Sequence, residues 1–321
     1  MSEARKSPAP LTLQAPDGYE LRGFAWRHDP PGDPARPVVI INAATSVRCE
    51  YYARFAAFLH HHGFDVITYD YRGIGNSRPT RLRGFVVGWL DWGQLDFEAV
   101  LQHVAARYPG QPVQVVGHSI GGFLIGLAPS NERIQRVFTV GAQFAYWRDY
   151  LRQRRLGMLL KWHLAMPLLT RVLGYFPGKR LGWMEDTPKG VVRDWVARHP
   201  RFEDAYRSGT HGLDAAQRQA LVERFAAMRG ATLALSLDDD EFGTVAAVQR
   251  LLRYFRNSRT IHLHIAPASI GVPRVGHFAF FHGSFESALW HIALEWLRTG
   301  RLASDARRHV VEPAPQSGRS H

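Results

Sequence analysis

The sequence predicts an α/β fold, a doubly wound and mostly parallel sheet with helices on both faces. Three observations predict it. A continuous β-branched run, Val38–Asn42, and two further short runs that read as buried strands, Asp65–Tyr69 and Val113–Val116, recur with helical patterns between them, as strands buried on both faces do. One of these runs leads straight into Gly117-His118-Ser119-Ile120-Gly121-Gly122 and a short apolar helix. After a long interruption the same strand-helix rhythm resumes to the end of the core.

The elements follow in order. Residues 1–10 (MSEARKSPAP) read as a flexible arm. Leu11–Gln14 and Glu20–His28 alternate around Pro16-Asp17-Gly18, a hairpin signal. Val38–Asn42 begins the parallel set, Tyr51–His62 has helical spacing and stops at Gly63, and Asp65–Tyr69 is the next strand. A helix over Leu90–Tyr108 ends at Pro109-Gly110, and the strand Val113–Val116 precedes the Gly-Ser-Gly turn. Val137–Val140, Thr232–Leu237 and Ile261–Ile265 are further strands, with helices at Val245–Tyr254 and Phe285–Leu297. Residues 143–230 break the rhythm with helical patterns, four tryptophans and no convincing strand, and are expected to form an inserted helical cap. The core is then 11–142 and 231–299, and 300–321 is expected to be a loose tail.

Composition narrows the function. With 321 residues, 45% of them hydrophobic, the chain can bury a large core, which excludes wholesale disorder. The single cysteine, Cys49, forms no internal disulfide and no Cys/His metal pattern, so a cytoplasmic protein is expected. Net charge is +12, yet only four of the 40 basic residues are lysines, and the arginines are scattered. No basic helix or aromatic RNA-binding motif organises them, so nucleic acid is not expected as a partner. No uninterrupted run of about 20 apolar residues occurs, so no spanning helix is expected. The closest is Leu156–Phe176, interrupted by Lys161, His163, Pro167 and Arg171, which reads as an amphipathic packing or lid helix with room for contact with a membrane surface.

The chemistry sits in the Gly-x-Ser-x-Gly turn. Between a strand and a helix, glycines two residues either side of Ser119 let the two elements close on a sharp turn, and the hydroxyl stands at a helix N-terminus. A serine hydroxyl is a weak nucleophile and needs a base, which in turn needs an orienting group. In this fold they follow in the order acid, then histidine. Asp238-Asp239-Asp240-Glu241 lies at the C-terminal end of the strand after the cap, and Gly276-His277-Phe278 lies in the loop after the next. His277 is therefore the expected base. Asp240 is the expected acid, with Asp239 as the alternative. The backbone amides of Ile120, after the nucleophile, and Ala44, after Val38–Asn42, are the expected oxyanion donors, with Thr45 a neighbour. Of the other histidines, His118 should point away from the nucleophile across the turn, and His262 and His264 look structural.

These residues resemble the α/β-hydrolase superfamily over 20–142 and 231–298. Asp70-Tyr71-Arg72-Gly73-Ile74-Gly75-Asn76-Ser77 is similar to the D-x-R-G-x-G-x-S turn of the branch that holds proline iminopeptidases, monoglyceride lipases and related esterases. With the GHSIGG and GHF segments it also resembles a largely uncharacterised bacterial group of predicted α/β hydrolases. The resemblance implies an eight-stranded sheet, a Ser-Asp-His triad and no cofactor. Asn42-Ala43-Ala44-Thr45 departs from it where many relatives have His-Gly. The leading expectation is hydrolysis of an ester or related acyl bond in a small-molecule substrate through an acyl-enzyme. Aromatic and leucine side chains of the cap read first as the cap's own core; with Phe278, Phe280 and Phe281 they suggest an apolar acyl pocket, and the cap arginines could instead recognise a carboxylate or phosphate head group. The alternatives are an aminopeptidase with Glu185 or Asp186 as the anchor for a free amine, and a non-catalytic small-molecule binding protein.

Overall fold

The computed structural model describes residues 8–29, 33–208 and 211–311. Ten strands are defined among them, eight in one sheet in the order β1 (Ala9–Gln14), β2 (Glu20–Trp26), β4 (Asp65–Tyr69), β3 (Val38–Asn42), β5 (Val113–His118), β6 (Ile134–Val140), β9 (Ala231–Leu237) and β10 (Thr260–Ile265). β1 and β2 run antiparallel to their neighbours and the other five pairings are parallel. This is the α/β-hydrolase architecture, eight strands and mostly parallel. Every residue of β3 and β4 is buried, because helices cover both faces and no alternation is needed.

Helices α1 (Ala53–His61), α2 (89–107), α3 (Ile120–Leu127), α7 (Val245–Leu252) and α8 (286–299) flank the sheet. Three fully buried tryptophans tie the layers together while satisfying their own N–H groups. Trp92 donates to the Arg72 carbonyl at 3.0 Å, Trp290 to Phe280 at 2.6 Å, and Trp296 to Val137 at 2.8 Å.

Between β6 and β9 lie α4 (155–173), a two-stranded ribbon of β7 (Tyr175–Phe176) and β8 (Thr187–Pro188), α5 (Lys189–Trp195) and α6 (Ala215–Ala227). Two points differ from the sequence expectation for 143–230. The ribbon is a strand pair, too short to leave a periodic signature. α6 packs against α3 of the core, with Phe225 filling the space that a side chain at Gly126 would need. It is the crossover helix that a parallel β6–β9 pair requires.

The two ends also differ from expectation. Residues 1–7 of the expected arm lie outside the described residues, but Ala9 and Pro10 pair with Ala25 and Phe24 in β1. The expected loose tail is packed up to residue 311. Ser304–His309 forms a 3-10 helix, Ala306 is buried, and Val310 bridges Leu263 while the Val311 amide donates to the His262 carbonyl at 2.8 Å. β10 is an edge strand, and this segment covers its open backbone groups. Residues 312–321 lie outside the described residues.

β3 is where strand order reverses, since β4 lies to one side of it and β5 to the other. The loops leaving β3 and β5 therefore diverge and open a crevice at their C-terminal ends. The close approach there is set by glycine. A Cβ on Gly121 would collide with the Asn42 carbonyl oxygen, and one on Gly117 would lie 2.7 Å from the Gly122 backbone. Gly121→Ala is thus expected to lower stability by about 1–3 kcal/mol, the cost of overpacking against backbone that cannot yield. A thermal melt showing an unchanged midpoint would contradict that reading.

Candidate active site

Ser119 sits at the turn from β5 into α3 with φ +53° and ψ −122°. A positive φ is costly for a side-chain-bearing residue and is held only where the surroundings dictate it. Here the Ser119 amide donates to the Val140 carbonyl at 2.9 Å, and the Ser119 carbonyl accepts from Gly122 at 3.1 Å. The turn points the chain into the crevice, and Ser119 lines a cavity of about 140 Å³ there.

His277 lines the same cavity. Its Nδ1 donates to Asp240 Oδ2 at 2.7 Å, both residues being buried. The other Asp240 oxygen, Oδ1, accepts the amides of Phe242 and Gly243, each at 2.8 Å. Burial alone would raise the Asp240 pKa, but the His277 charge and hydrogen bond and these two amides outweigh it, holding the carboxyl below its ordinary range. With Nδ1 acting as donor, the His277 nitrogen left to accept a proton is Nε2.

Asp239, the alternative acid, makes no hydrogen bond to His277. Its Oδ2 accepts the amides of Val275 and Gly276, both at 2.9 Å, and so pins the loop that carries the histidine. Adjacent aspartates thus have separate duties: one holds the ring, the other its loop.

Ser119 does not hydrogen-bond to His277 in this structure. Among the described residues its Oγ is approached by Gln143 Nε2, at 3.4 Å, while Gln143 Oε1 accepts the Ala145 amide. Gln143 follows β6, is buried, and lines the cavity. Nothing in the sequence singles it out, because its position depends on how the chain leaves β6.

The Ala44 amide, expected as an oxyanion donor, is committed elsewhere. It donates to Tyr52 Oη at 2.8 Å, and this corrects the expectation. The next amide, that of Thr45, and that of Ile120 have no acceptor among the described residues, and both residues line the cavity. Tyr52 continues a buried chain: its hydroxyl meets His118 Nδ1 at 2.7 Å, and His118 Nε2 donates to the His277 carbonyl at 2.9 Å. Burial, aided by the nearby His277, pushes the His118 pKa down to about 3, so the ring is neutral and its Nδ1 accepts. The proton directions are then fixed from Ala44 through Tyr52 and His118 to the His277 backbone. His118 thus has both ring nitrogens engaged, by Tyr52 and the His277 carbonyl, and couples three loops of the site. His262 and His264 both bond to Ser236 Oγ, at 2.8 and 2.9 Å, inside the sheet.

The cavity walls are aromatic: Trp89, Trp162, Trp183, Trp195, Phe242 and Phe278. Lys161 joins them, its ammonium 4.4 and 4.1 Å from the ring centres of Trp162 and Trp183, and desolvation lowers its pKa. Of the three phenylalanines expected here, only Phe278 lines the cavity. Phe280 and Phe281 are buried in the core against Phe55. The two expected amine anchors are engaged elsewhere, Glu185 with Lys179 at 3.4 Å and Asp186 with Arg78 at 2.9 Å. The carboxylate on the cavity wall is that of Glu241.

Among the described residues, one group of donors could close on a cation: Cys49, Glu50 and Asp70, within 4.8 Å of one another. Both Asp70 oxygens already accept amides, from Cys49 at 2.7 Å and Asn76 at 2.8 Å. Burial also pushes the Cys49 thiol well up, away from the thiolate a metal needs. Those contacts build the turn 70–77.

A family model described as serine aminopeptidase, S33, matches residues 33–263. The chain belongs to this family. The match spans β3 to β10 and stops short of His277. Solved structures similar to this S33 member include a soluble variant of monoglyceride lipase from Saccharomyces cerevisiae in complex with a substrate analog, at 14% identity and a TM-score of 0.61, covering 97% of this chain and 99% of that one. DcsB in complex with its substrate analogue is 15% identical with a TM-score of 0.58, covering 91% and 99%. The Pyrococcus furiosus esterase Pf2001 is 15% identical with a TM-score of 0.56, covering 91% and 92%. At such identities the likeness is one of fold. No helix of the described residues is long and apolar enough to cross a membrane.

Proposed function

We propose that the protein is a serine hydrolase that cleaves a carboxylic ester or related acyl bond through an acyl-enzyme on Ser119. The observation that carries this reading is a strained Ser119 lining the same cavity as His277, whose Nδ1 is held on the buried Asp240 at 2.7 Å. In this mechanism His277 Nε2 takes the Ser119 proton as Oγ attacks the carbonyl carbon. Asp240 keeps the ring in the tautomer that leaves Nε2 free and stabilises the imidazolium that forms. The Ile120 amide donates to the oxyanion, with the Thr45 amide as second donor in place of Ala44. His277 then gives the proton to the departing alkoxide, and water, activated by the same nitrogen, releases the acid.

A short hydrogen bond from Ser119 to His277 is not a precondition, since such contacts tighten in the substrate complex. The aromatic walls favour an apolar acyl group. The volume of about 140 Å³ lies below the several hundred Å³ that drug-sized ligands fill, which favours a short one. In a p-nitrophenyl ester series from acetyl to palmitoyl, short chains are therefore expected to give the highest kcat/KM. Turnover of aminoacyl p-nitroanilides without turnover of any ester would contradict the ester reading and favour an aminopeptidase.

A further inference from the structure

Helix α4 carries two stripes of side chains at the same four-residue spacing. Met158, Trp162, Met166 and Thr170 are buried. Leu156, Leu160, Leu164, Leu168 and Val172 are exposed, by 72%, 54%, 52%, 56% and 75%. A four-residue repeat overshoots each α-turn by about 40°, so it would wind off one face of a regular helix. The wider turns at Leu159–Ala165, a π-helical stretch inside α4, take up the overshoot. They keep the leucines in register on the outside while Lys161 and Trp162 line the Ser119 cavity on the inside.

An exposed apolar stripe of this length needs a partner. The surrounding charge says which kind. Residues 150–184 contain seven lysines and arginines and no aspartate or glutamate. At the end of the stripe, Val172 and the 68% exposed Val86 border a groove lined by Arg83, Arg171, Lys189 and Arg193, with no acidic side chain. A second copy docked through the same face would set these cations against themselves. An anionic surface meets both features at once.

We propose that this face docks on an anionic lipid bilayer, with α4 lying in the interfacial plane. The leucines enter the acyl boundary and the arginines meet headgroup phosphates. Docking of this kind does not depend on the reactivity of Ser119, so it stands or falls separately from the catalytic reading.

The test is sedimentation of the full chain with vesicles of phosphatidylcholine alone and of phosphatidylcholine mixed equally with phosphatidylglycerol. The mixed vesicles are expected to bind about tenfold or more protein, and salt to release it. Leu160→Gln/Leu164→Gln/Leu168→Gln is expected to lose that binding, with an unchanged melting midpoint because these side chains are exposed. Arg152→Gln/Arg171→Gln/Arg180→Gln is expected to lose the preference for phosphatidylglycerol. Absence of wild-type binding to the mixed vesicles would overturn the proposal, as would equal binding to both vesicle types. So would a concentration-dependent dimer that the leucine variant dissolves, which would assign the face to a second copy.

Discussion

Ser119→Ala is expected to remove ester hydrolysis almost entirely, by about 10⁴–10⁶-fold in kcat, while leaving the fold intact. The magnitude follows from the covalent step: without Oγ no acyl-enzyme forms, and only whatever the amides of Ile120 and Thr45 do for a direct water attack remains. The fold should persist because the strained turn is held by backbone contacts, the Ser119 amide to Val140 and the Gly122 amide to the Ser119 carbonyl. Among the described residues its Oγ has only the long contact from Gln143. Equal melting midpoints with near-zero turnover would fit. A variant that keeps most of its activity would remove Ser119 from the chemistry.

The second large effect separates the two aspartates. Asp240→Asn is expected to lower kcat by about 10⁴-fold, as the amide can donate to Nδ1 and leave the imidazole in the wrong tautomer. Asp239→Asn keeps one oxygen to accept the Val275 and Gly276 amides. Its cost is expected to fall on stability, about 1 kcal/mol or less, with kcat changed by no more than about tenfold. Kinetics and melts of both purified variants check the pair. The reverse pattern, a larger kcat loss for Asp239→Asn, would mean that the loop moves and Asp239 supplies the acid in the working enzyme.

The sheet was legible because burial on both faces leaves a direct mark: β3 (VVIIN) and β4 (DVITY) are short runs rich in β-branched residues without polar alternation, and they are buried at every position. The elbow was legible because steric contact with Asn42 and Gly122 demands glycine at fixed offsets. The choice between Asp239 and Asp240 was not legible to the same degree. One residue of rotation on a turn decides it, and the amides of Phe242 and Gly243 make that decision three-dimensional. The Ala44 amide was misassigned because its acceptor, Tyr52, arrives from the start of the helical segment after it, with nothing local to announce the contact. Phe280 and Phe281 were misplaced because the loop after His277 turns back into the core, which composition does not record. The tail was missed because a 3-10 helix and a single bridge carry no period.

The central claim is that Ser119 is an activated nucleophile, and the most direct measurement is covalent labelling by a fluorophosphonate followed by mapping of the modified peptide. The expected result is a single adduct on Ser119. It should be lost in Ser119→Ala and slowed strongly in His277→Ala, with both variants folded. Folded wild-type protein that stays unlabelled, or an adduct on another residue, would contradict the account.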